Sequence, residues 1–122
     1  MPQYPFEKLR VWQAARELGK QVYLTTSTFS RSEIYGLTSQ CNRAAVSVAA
    51  NLAEGSSRQG RRDQAHFSEI AYASLMELAC LLVFCCDLGL LSVNAEIQLR
   101  SSIEQLSRQL NALHRSQRAR IT

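Results

Sequence analysis

The sequence predicts an all-α fold: an antiparallel up-down four-helix bundle that packs against further copies of itself. Three observations lead there. Two prolines and five glycines in 122 residues leave long segments without a backbone breaker. Apolar residues recur at alternating spacings of three and four in four successive segments, which lines one face of a helix in each. The stretch from Gln40 to Gly55, moreover, has no ordinary solvent face. Leu37, Cys41, Ala44, Ala45, Val48 and Leu52 form its apolar stripe, and Gln40, Arg43, Ser47, Asn51 and Glu54 a polar stripe beside it. Its far side carries Ser39, Asn42, Val46, Ala49, Ala50 and Ala53, small or uncharged residues that admit another backbone, so a second protomer is expected there.

The chain reads as a single domain, residues 1–122, with helices over about 6–28, 31–54, 61–88 and 92–116. In the first, Val11, Ala15, Leu18, Val22, Thr25 and Phe29 repeat at spacings of 4, 3, 4, 3 and 4, with Trp12, Gly19, Tyr23 and Thr26 alongside. The second opens on Ser30-Arg31-Ser32-Glu33, a capping-box pattern, and Gly55 is its expected left-handed stop. Asp63 sits in the first turn of the third helix, where a negative charge is favoured. The core stripe of that helix is Phe67, Ile70, Ala71, Ser74, Leu78, Leu81 or Leu82, Cys85 and Leu88, and from Leu78 to Cys86 it is apolar all round. Gly89 ends it and Ser92 caps the fourth, where Leu99, Ile103, Leu106, Leu110 and Leu113 form a coiled-coil-like seam. Beyond His114 the pattern dissolves into a basic tail, 115–122, expected to fray.

Composition limits the function classes. Nine residues without charge, closed by Asp87, fall short of the roughly 20 needed to cross a bilayer, so no membrane partner is expected. No secretory leader is seen, and Cys41, Cys80, Cys85 and Cys86 lie in apolar helical patterns as small hydrophobes, which fits a cytoplasmic protein. The formal charge is +4, and twelve of the fourteen cations are arginine. Two clusters stand out as candidate nucleic-acid contacts: Arg58, Arg61 and Arg62 in the loop after helix two, and Arg115, Arg118 and Arg120 in the tail.

The polar stripe is read as structural. Arg43 and Glu54 lie eleven residues apart, about 16 Å along the axis, and cannot meet within one helix. Arg43 is expected to reach Glu77 or a carboxylate of another protomer, and Glu54 the arginine loop or a neighbouring protomer. The assembly set is therefore Gln40, Arg43, Ser47, Asn51, Glu54 and Glu77. A catalytic or ligand pocket built from Gln40, Arg43, Asn51, Glu54 and Glu77 is the sharper alternative. Against it, helix two has no second carboxylate at a helical spacing from Glu54, no nucleophile lies beside a histidine, and there is no glycine-rich phosphate cradle. A di-iron bundle needs two Glu-x-x-His motifs, whereas only Asp63-x-x-His66 is present. No catalytic residue, metal ligand or cofactor is expected, and the chain is read as non-enzymatic.

Four segments carry a family resemblance: F-E-K-L-R-V-W-Q-A-A (Phe6 to Ala15), F-S-R-S-E-I-Y-G-L (Phe29 to Leu37), the sixteen residues Gln40 to Gly55, and S-L-M-E-L (Ser74 to Leu78). Together they resemble the bacterial four-helix bundle proteins encoded in intervening sequences of 23S rRNA genes. The match spans roughly Phe6 to Leu91. The resemblance implies a homopentamer. It also implies kinship with the accessory variability protein of diversity-generating retroelements, hence RNA or DNA, and a reverse transcriptase, as partners. Trp12, Tyr23, Glu33, Gly36 and the assembly set occupy the family's characteristic positions. Ser30, Asn42 and Ala73 depart from its usual proline, arginine and glycine. The family name describes a genomic location and does not by itself imply binding to rRNA.

Overall fold

A computed structural model describes residues 1–121. It is all-α, with four helices and no strand among the described residues: α1 (Arg10–Thr26), α2 (Ser39–Ser56), α3 (Arg61–Asp87) and α4 (Val93–Ala119). The helices α3 and α4 hold 27 residues each, about 40 Å at 1.5 Å per residue. Each helix packs on two others, α1 on α2 and α4, and α3 on α2 and α4. The predicted stripes supply most of the core between them: Val11, Ala15, Leu18 and Val22; Cys41, Ala44, Ala45, Val48 and Leu52; Leu99, Ile103, Leu106 and Leu110.

The helix starts differ from the sequence expectation. Residues Pro5–Lys8 form a separate 3-10 turn in which the Glu7 carboxylate accepts the Tyr4 N–H at 2.7 Å, and Leu9, in extended conformation, leads into α1. The predicted second helix does not begin at Arg31. Arg31–Glu33 is a single 3-10 turn, Ile34–Thr38 a wide turn broken at Gly36 (φ −110, ψ −114), and α2 starts at Ser39. The capping box is not formed, because the Ser30 hydroxyl shares a 2.8 Å hydrogen bond with Ser32 instead.

Gly55 is not a left-handed stop. It is buried within α2, and a Cβ there would lie 2.8 Å from Phe67 Cβ, so its missing side chain lets α3 approach. The helix ends on serines: Ser56 and Ser57 donate to the carbonyls of Ala53 and Glu54, both at 2.7 Å. Gly89 does take the left-handed conformation (φ 72), and the Leu90 and Gly89 amides cap the carbonyls of Cys85 and Cys86. Ser92 caps α4 by accepting the Ala95 N–H at 3.1 Å. The expected frayed tail is helical through Ala119, because the Ser68 hydroxyl donates to Gln117 Oε1 at 2.7 Å and His114 meets Glu69 at 2.9 Å.

The α3 stripe needs the largest correction. Leu75 and Leu78 are fully buried and both Leu81 and Leu82 enter the core, but Leu88 is exposed and Ser74 only half-buried. The Leu78 to Cys86 stretch, apolar all round in sequence, presents Cys80, Val83 and Phe84 to the outside. Tyr23 of α1 (51% exposed) and Phe84 of α3 (56% exposed) present aromatic rings at the surface. By length and composition α3 could cross a bilayer, since its most apolar 18 residues reach a mean hydropathy of 1.8.

Candidate nucleic-acid interface

The first turns of α3 and the last turns of α4 lie side by side, which brings the two predicted arginine clusters together. Arg62 and Arg118 line one recess of about 320 Å³ with His66 and Glu69. Arg61 and Arg120 line a second, of about 230 Å³, with Leu9, Asn51 and Gln117. All four guanidinium-bearing residues are exposed, and the Ser68–Gln117 and Glu69–His114 contacts hold the two helix ends in this register. Arg58 is more constrained: its side chain lies 3.4 Å from Glu54 and over the Phe67 ring at 4.9 Å, while its carbonyl accepts the Gln64 amide at 2.7 Å. Arg115 is exposed on the same end of α4 but lines neither recess.

Exposed arginines at one end of a bundle hold a mobile, sequence-independent positive potential, suited to phosphate oxygens. His66 adds a ring donor to the Arg62 and Arg118 recess, a role that sequence reading missed. Its signal was present, since positions 62 and 66 share a helix face.

The structure divides the polar stripe. Gln40, Arg43, Ser47 and Glu77 line an open recess of about 560 Å³ between α2 and α3, floored by Ala44. Ser47 and Ser74 hydroxyls meet at 2.8 Å, and the Asn51 amide donates to the Ser47 carbonyl and hydroxyl at 2.8 and 3.0 Å. Glu54 stands apart on Arg58, as expected of the arginine loop. Arg43 and Glu77 share the recess, but no ion pair joins them among the described residues. Arg43 and Glu54 are both exposed and do not share a recess.

Two of the four free cysteines face each other in the core: Cys41 and Cys85 sulfurs lie 3.9 Å apart, joining α2 to α3. Burial, with the second thiol beside it, pushes the Cys41 pKa up to about 12, and burial likewise raises that of Cys85. Cys80 is exposed, contrary to the expectation of four buried thiols. Among the described residues no group of three or more His, Cys, Asp or Glu is placed to hold a metal ion.

The family model described as 23S rRNA-intervening sequence protein matches residues 7–112. A search of curated proteins gives no match.

Proposed function

The chain belongs to the 23S rRNA-intervening sequence protein family, and from that premise we propose that it is a non-enzymatic, oligomeric adapter that binds nucleic acid through its arginine end. The observation that carries this reading is the convergence of Arg61, Arg62, Arg118 and Arg120 from two helix ends onto adjoining recesses. The pairing of Cys41 with Cys85, Ser47 with Ser74 and Gly55 with Phe67 supports an antiparallel up-down order, which puts both arginine clusters at the same end. In a homopentamer, the number the family resemblance implies, that end is repeated five times, so weak phosphate contacts act together. The partner is RNA or DNA held by its backbone, with a reverse transcriptase as a protein partner by family analogy, in the cytoplasm.

Gel-shift titration against RNA and DNA at several salt concentrations tests the reading. Binding that weakens steeply with salt is expected; no binding at low salt overturns it. The same measurement on Arg62→Gln/Arg118→Gln should show weaker binding to every sequence tried.

A second reading, a protein-interaction scaffold without nucleic acid, draws support from the apolar side chains exposed on α3. It predicts partners that stay bound after nuclease treatment.

A further inference from the structure

We propose that copies of this chain join head to tail, with the outer ridge of α3 on one copy seated in the groove between α1 and α2 on the next. The inference rests on the homo-oligomeric reading above and names the surfaces that would meet. The groove is concave and almost wholly apolar, about 290 Å³, with Ala15, Gly19, Ala45 and Ala49 between the larger Trp12 and Tyr23. Gly19 has no internal reason to be small: a Cβ there would meet nothing within 4 Å. What the absent side chain leaves is room for an incoming group.

The ridge supplies such a group. Met76, Cys80, Val83 and Phe84 recur at spacings of four, three and one along the outside of α3, and all four are exposed. In the bundle α1 contacts α2 and α4, and α3 contacts α2 and α4, so the α1/α2 groove and the outer side of α3 lie on opposite flanks. The charges are complementary. Arg16 and Lys20 border the groove, Lys20 also meeting Glu17 at 3.3 Å, whereas Asp87 flanks the ridge, exposed and outside every ion pair among the described residues, and Glu77 flanks it beside Arg43, with which it shares a recess. Because ridge and groove are different surfaces on opposite sides, the contact is heterologous: it propagates from copy to copy and ends only by closing a ring.

Two substitutions separate the halves of the contact. Gly19→Leu fills the groove into open space, and Phe84→Asp charges an exposed ridge position, so each should keep the wild-type helical circular dichroism spectrum and a cooperative melt, lowered only by the lost self-association. Light scattering should show the wild type as an oligomer and each variant alone at the 13.7 kDa of one chain. An equimolar mixture should then form a species of twice that mass, because one variant keeps its ridge and the other its groove. A mixture that stays monomeric overturns the head-to-tail contact. An oligomeric wild type whose mass neither variant changes overturns this interface but leaves the oligomeric reading standing, whereas a monomeric wild type defeats both. Co-sedimentation of the wild type with anionic phospholipid vesicles, lost in Phe84→Asp with no change in mass, would assign the ridge to a membrane and overturn the proposal.

Discussion

Cys41 and Cys85 show how the environment sets the chemistry of a side chain. Both thiols are fully buried and held neutral, and Cys86 is likewise raised, to about 11, by burial and by Glu96 nearby. The exposed Cys80 should therefore be the first of the four to alkylate under native conditions, with Cys41 and Cys85 reacting only on unfolding; peptide mapping after timed alkylation reads the order. The same shifts fix an alkaline limit on stability. Below the ordinary thiol value near 9, neither folded nor unfolded chain ionises Cys41, so its contribution is intact. Above it the unfolded chain ionises first. Stability should then fall by about 1.4 kcal/mol per pH unit for such a thiol, up to about pH 12 where the folded thiol ionises too. Denaturant melts at pH 8, 10 and 11 measure the slope, and Cys41→Ser should make it shallower while Cys85 and Cys86 keep their share. At Gly55 the constraint is steric. Gly55→Ala gains helix propensity but forces Cβ against Phe67 Cβ at 2.8 Å, and a net loss of about 1 to 2 kcal/mol is expected in urea unfolding.

At the scale of the helix, periodicity located every core stripe except that of α3. The stripes of α1, α2 and α4 were legible because a run of polar residues borders each on at least one side. In α3 apolar residues surround the axis, so spacing alone could not tell the buried Leu75 from the exposed Phe84 or Leu88. Tertiary packing on α2 and α4 made that choice. Leu75→Ala should cost about 2 to 5 kcal/mol by chemical denaturation, whereas Leu88→Ala should cost well under 1. The break at Gly36 was also hidden: Ser30 and Glu33 match a capping box, but a motif match cannot tell whether the following turns stay regular. The Gly55 stop failed for a related reason, since a glycine that permits left-handed backbone and one that permits close approach are the same letter. The candidate site was legible as two arginine clusters. Their meeting was not, because it depends on α4 remaining helical beyond His114 and docking on α3.

For the whole molecule, the densest cluster of positive charge stands apart from the two apolar surfaces. Six of the twelve arginines gather around the start of α3 and the end of α4, the apolar groove runs between α1 and α2, and the apolar ridge follows the outside of α3. On the proposed function, each arginine removed from the α3/α4 end should lower the slope of log affinity against log salt by about 0.9 for duplex DNA, without altering mass. Filling the groove should alter mass without altering that charge. On the proposed function, this separation makes dilution a control on activity: single copies would offer too few arginine recesses to hold a strand, and copies joined through remote surfaces would present them together. Titrations of nucleic acid with this protein should therefore be sigmoidal, with a midpoint that follows the self-association constant, and Gly19→Leu should give shallow, weak, hyperbolic curves even though every arginine is still in place.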